Sequence, residues 1–243
     1  MIETIRSEYL KLRTTRTAGG LLAGLLLLCG LAMWGMLANA TPAELATGLS
    51  TTDVLTPILA VVPVFVLVLG IRSFTDEVRH GSLVPTFLAT PDRRRVLAAK
   101  IVVLAAASVI FALVALAFGT AGVLAFLAIK GVASPIAWGA IAALAGTALA
   151  VVAVWSALGV AIGALVRHQV AAIVGALAWV FIGEGLIATI AHGAANWLPG
   201  QAAAIALGID PGRSQAFGAA VLMGWTVVAT ALAATTLTRR DVV

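Results

Sequence analysis

Charge is what this sequence has least of. Of its 243 residues only 10% are Asp, Glu, Lys or Arg, whereas 62% are hydrophobic, and the mean hydropathy is +1.11. A soluble domain carries about a quarter charged residues, so this chain lacks the polar surface that an exterior facing water needs. Disordered and collagen-like chains are excluded on the same grounds. Cysteine is nearly absent too: Cys29 lies alone inside an apolar run. That excludes an intramolecular disulfide and a cysteine cluster, and leaves Cys29 as a small packing residue. His80, His168 and His192 are scattered, with no His-Glu-x-x-His spacing, so metal chemistry finds no support. The three lysines, Lys11, Lys100 and Lys130, follow Leu, Ala and Ile, and there is no phosphate-binding loop with its Gly-Lys pair. A Gly-x-Ser-x-Gly nucleophile elbow is also missing. Neither a catalytic site nor a cofactor site is expected on this chain.

What is present is apolar length. A membrane-spanning helix takes about 20 mostly apolar residues, and six stretches qualify: 18–37, 54–71, 97–129, 135–166, 170–191 and 216–237. The expected fold is all-α and polytopic, six transmembrane helices in a single domain over residues 1–243. Pro63, inside the second stretch, predicts a kink. A signal-peptide-like Leu37-Ala38-Asn39-Ala40 closes the first stretch, but its apolar run is too long for a signal core and five more spans follow. It reads as a span.

Six spans place both termini on one side. With the amino terminus inside, 13 of the 15 basic residues fall on inner segments, all but Lys130 and Arg213. This positive-inside bias orients both ends toward the cytoplasm. It also explains a sequence pI near 10.4 without nucleic acid as a partner. Before the first span, Ile2, Ile5, Tyr9 and Leu12 recur at helical spacing, with Glu3, Arg6, Ser7, Lys11 and Arg13 on other faces. Residues 1–17 are therefore expected to form an amphipathic helix in the interface, apolar side toward lipid.

The one long inner loop follows the second span. Gly81 is a natural helix stop, so residues 73–80 can form a short helix. An apolar link through Leu83, Val84, Pro85, Phe87 and Leu88 comes next, then a helix start with Thr90 as cap and Pro91 at the first position. Composition leaves two readings, a docking element or a plain connector. On the outer side, residues 201–208 are apolar enough to lie against the bilayer, and Trp197 fits an interfacial anchor. Gly-x-x-x-Gly pairs occur at Gly20/Gly24, Gly159/Gly163 and Gly208/Gly212, against about two expected by chance at this glycine content. They carry little weight. Glu184 stands alone as an acid deep in the fifth span, either a pathway residue or a hydrogen-bonded helix contact.

Three segments together resemble the ABC-2 type permeases of ABC transporters. Residues 74–100, with Glu-Val-Arg-His-Gly-Ser-Leu-Val-Pro-Thr-Phe-Leu-Ala-Thr-Pro, resemble the loop after that family's second span. Ser7-Glu8-Tyr9-Leu10-Lys11-Leu12-Arg13 resembles its amino-terminal helix. Arg167-His168-Gln169-Val170-Ala171-Ala172, Glu184 and Trp197-Leu198-Pro199-Gly200 resemble the later half of bacterial members, with His168 where Asn is usual. The resemblance implies a half-transporter in the bacterial plasma membrane, an exporter that pairs with a second copy or paralogue. ATP and Mg would sit on a separate cytoplasmic ATPase. Phe74, Asp76, Glu77, Arg79 and Gly81 would form the coupling helix, with Phe74 filling a pocket in the ATPase and the charged residues orienting it. The other readings are an ion-coupled secondary transporter, which usually carries several intramembrane ionisable groups, and a scaffold or immunity-type membrane protein.

Overall fold

The computed structural model describes residues 2–38, 51–131, 137–210 and 212–239. Asn39, in the signal-like tetrapeptide, and most of the first outer loop lie outside these residues. Every regular element among those described is helical. An amphipathic helix α1 (Ile2–Thr14) leads into α2 (Arg16–Ala38). Then come α3 (Thr51–Arg79), the short α4 (Leu83–Ala89), α5 (Arg93–Lys130) and α6 (Trp138–Val166). The fifth stretch is composite: α7 (Gln169–Ala178), a π-helical turn over Trp179–Gly183, and α8 (Glu184–Ile190). Two short helices, α9 (His192–Ala195) and α10 (Pro199–Ala206), precede α11 (Gln215–Arg239). Six helical segments are long and apolar enough to cross a membrane, so the chain is an all-α polytopic bundle.

The bundle is built around α3 and α6. Each is 61% buried over its most apolar stretch, whereas α2 and the fifth span are 11% buried. Backbone proximity explains the difference. Gly159 and Gly163 of α6 lie on the carbonyls of Leu67 and Ile71 in α3, and Gly70 of α3 lies on Ser156 of α6. A Cβ built on Gly163 would stand 2.6 Å from the Ile71 oxygen, against backbone that cannot rotate away. Here the sequence reading is corrected: of the three Gly-x-x-x-Gly pairs, Gly159/Gly163 forms the central seam, while Gly20 faces open space. Small residues matter at such seams because lipid is as apolar as leucine, leaving close packing to hold helices together. Gly163→Val should cost about 1–3 kcal/mol or more by overpacking. Gly20→Val should leave the melting temperature in detergent unchanged, and equal melting of the two variants would refute the seam.

Local chemistry places the helix ends at the basic face. α3 runs unbroken through Pro57 and Pro63 to Arg79, so residues 73–80 are the last turns of the second span and not a separate helix. Gly81 stops it with φ +68. The apolar link is itself a helix, α4. The next helix is capped by Asp92, two residues later than expected: its carboxylate accepts from the N–H groups of Arg94 (3.1 Å) and Arg95 (3.4 Å). Between α6 and α7, Arg167 takes a left-handed φ of 56, and His168 Nδ1 accepts the Ala171 N–H at 3.2 Å. Imidazole thus does the capping work of an asparagine.

At 38 residues, α5 is about 57 Å long, well beyond a hydrocarbon core of about 30 Å. Its first turns stand beside α1 and α4. On α1, Ile5 and Leu12 pack against the core and Glu8 is buried, while Ile2 and Tyr9 are exposed. The expected single apolar stripe is therefore divided, and the face turned inward is centred on an acid.

Candidate functional site

Four charged side chains from three helices meet at the basic end. Glu8 (4% exposed), Lys100 (1%) and Glu77 (7%) are buried, and Lys11 is half-buried beside them. Lys100 Nζ donates to Glu8 Oε2 at 2.6 Å, Glu77 Oε1 at 2.5 Å and the Ser73 carbonyl at 3.1 Å. All three ammonium protons are used. Lys11 Nζ donates to Glu8 Oε1 at 2.7 Å, to Glu77 Oε1 at 2.9 Å and more weakly to Thr86 Oγ1 of α4 at 3.4 Å. Burial alone would lower the Lys11 pKa, but hydrogen bonds and charge from Glu8 and Glu77 outweigh it and raise it above the usual lysine value. Lys11 stays charged at neutral pH, and the four groups balance to zero. Two buried ions repay their desolvation only when geometry and extra hydrogen bonds are good; here Lys100 has both.

This cluster joins α1 to the end of α3 and the start of α5, and through Thr86 to α4. Further ties share the same end. Arg93 Nη1 donates to the Leu237 carbonyl at 2.6 Å and stacks over Phe87 of α4 at 5.3 Å. Arg79 donates to Gln169 at 3.3 Å. On α4, Leu83 and Phe87 turn inward, while Val84 and Leu88 are exposed.

The residues expected to dock a partner are only partly placed to do so. Phe74 is fully buried. The helix α3 continues as one element and directs Phe74 into the core. Glu77 is engaged in the cluster, and Asp76 pairs with Arg72 at 3.2 Å. Arg79 and Gly81 remain exposed. Glu8, Lys11, Thr86 and Lys100 were not singled out from sequence. The available signal was Glu8 itself, three residues after Ile5 and four before Leu12, on their helix face.

Glu184 forms a second constellation toward the opposite end. It is fully buried, and its carboxylate accepts the N–H groups of Gly200 (2.8 Å) and Gln201 (2.9 Å). These are unpaired donors in the first turn of α10, where the helix dipole also favours negative charge. The π turn just before Glu184 adds a residue to the register. Pro199 occupies the first turn of α10, where no N–H is needed. Gly200 leaves room, since a Cβ there would stand 2.6 Å from Glu184 Oε2. Of the two readings, the geometry is that of the helix contact. α10 packs inward, with Ala202 and Ile205 buried. Trp197 stays exposed, edge-on to Phe217 at 5.2 Å, and its carbonyl accepts the Trp225 indole N–H at 2.7 Å.

An all-helical bundle with six membrane-length helices, and an amino-terminal amphipathic helix tied to the loop after the second span, is the fold of a polytopic membrane protein. The chain belongs to the family described as ABC-2 family transporter protein, which matches residues 4–183. It is a membrane permease of an ABC transporter. The match covers the whole ion cluster and ends at the π turn, one residue before Glu184. Among curated proteins, nothing matches this chain.

Proposed function

We propose that the chain is one half of an exporter, paired with a second permease, and that a separate cytoplasmic ATPase drives it by docking on α4. The observation that carries this reading is the division of α4. Leu83 and Phe87 anchor it, and Lys11 and Arg93 contact its middle at Thr86 and Phe87, while Val84 (46% exposed) and Leu88 (78% exposed) face outward. A short helix fixed on one side and apolar on the other transmits a push without unfolding. Arg79 and Gly81 lie at its margin, where a charge contributes less because it stays solvated. The family likeness supports export as the direction. The ion-coupled alternative loses support because its intramembrane acid, Glu184, is engaged at the α10 terminus.

Leu88→Asp should release the ATPase on co-purification, a loss of about thirtyfold in affinity if Leu88 is an interface anchor. The bundle should insert normally, since that side chain is exposed. Phe74→Ala should instead lower thermal stability, by about 3–5 kcal/mol for a buried aromatic. A Leu88→Asp variant that keeps both ATPase and transport sinks the docking reading. Orientation has its own test. A cysteine at Ser214 should label in intact cells with an impermeant thiol reagent, and one at Ser82 should not. Cys29 is buried and adds little background. Labelling at Ser82 reverses the topology.

A further inference from the structure

A cavity of about 450 Å³ opens beside the ion cluster, between α1, the end of α3 and the start of α5. Its acids are Glu8, Asp76 and Glu77 and its bases Lys11, Arg72 and Lys100, with His80 at the exposed margin. The set is balanced in charge but not in hydrogen bonds. Asp76 Oδ1 and Glu77 Oε2 are buried and accept nothing, and Glu77 as a whole is only 7% exposed. The nearby bases cannot serve them in this arrangement. Lys100 has no proton left, Lys11 is turned to Glu8, Glu77 Oε1 and Thr86, and Arg72 meets the other Asp76 oxygen at 3.2 Å. Buried carboxylate oxygens without donors are costly, so this cavity favours an occupant that brings hydrogen-bond donors.

The surroundings define that donor. Leu12, Leu69 and Leu104 give the cavity an apolar wall, and Thr15 and Thr17 place it at the junction of the interfacial helix and the first span. A bare metal cation would meet three fixed positive charges there. A zwitterion with a primary ammonium fits the balance, and one with an acyl tail fits the wall. We propose that this cavity binds the headgroup of an aminophospholipid. Its ammonium donates to Asp76 Oδ1 and Glu77 Oε2, its phosphate faces Arg72 and Lys11, and its acyl portion runs along Leu12 and Leu69. The site is independent of ATPase docking, since it is read on the permease alone.

The test uses the purified, delipidated full chain in detergent, with melting and native mass spectrometry as readouts. The additions are phosphatidylethanolamine, phosphatidylcholine, phosphatidylglycerol and soluble O-phosphoethanolamine. Phosphatidylethanolamine should raise the melting temperature and remain bound. Phosphatidylcholine, whose quaternary ammonium has no N–H, and phosphatidylglycerol, which has no ammonium, should bind about tenfold more weakly. Asp76→Asn should remove most of that preference while melting near wild type without lipid, because Asp76 is partly exposed and outside the four-residue cluster. The wild-type comparison of ethanolamine with choline headgroups decides the matter even if the variant folds poorly. Equal binding of the lipids, or full preference in a folded Asp76→Asn variant, overturns the proposal and leaves a water-filled cavity. Stabilisation by O-phosphoethanolamine equal to that by the lipid overturns the assignment to a membrane source.

Discussion

Lys100→Met should destabilise the purified chain by about 3–5 kcal/mol, the usual consequence of leaving buried charges without their partner. Lys100 is 1% exposed and supplies three donors, so its loss strands one oxygen of Glu8 and exposes Glu77 to a single remaining base, Lys11. The check is thermal or denaturant unfolding in detergent. A second variant separates stability from function. Glu8→Leu, Lys11→Met, Glu77→Leu and Lys100→Met combined replace all four ions with apolar groups, a change that often restores stability. It should melt near wild type. If the cluster passes ATPase movement from α4 into α1 and α3, the quadruple variant should still bind the ATPase but transport poorly. Normal transport by a stable quadruple variant would show that the ions hold the fold and transmit nothing.

Glu184→Leu carries the second large effect. It leaves the Gly200 and Gln201 N–H groups unpaired at the start of a packed helix, at about 1–3 kcal/mol each. Hydrogen exchange should speed up over residues 199–206, and the melting temperature should fall. Glu184→Gln keeps the shape and one acceptor oxygen, so roughly half of that loss is expected. Transport by the Gln variant distinguishes the roles. Near-normal transport at normal membrane levels supports capping alone, whereas loss of transport with little loss of stability returns Glu184 to the translocation path. Gly200→Ala should resemble the Leu variant more than the Gln variant, because its added methyl displaces the carboxylate.

The six spans, the interfacial helix, the basic end and the stop at Gly81 were legible in the sequence because each depends on local quantities: apolar length, helical spacing, charge and backbone freedom. Of the segments that carried the family resemblance, residues 7–13, 74–100 and 167–172 lie inside the family match, whereas Glu184 and residues 197–200 lie beyond it. Burial was not legible. In a bilayer, lipid-facing and core-facing side chains are equally apolar, so hydropathy could not separate fully buried Phe74 from exposed Leu88, or central α6 from peripheral α2. Nor could spacing select Gly159/Gly163 from three similar pairs, since only the approach of Leu67 and Ile71 distinguishes it. Glu8 and Lys100, 92 residues apart, meet only once α1 folds back against the first turns of α5. The partners of Glu184 were beyond reach for the same reason, since its two backbone donors lie 16 and 17 residues away on a helix that the tertiary structure packs inward.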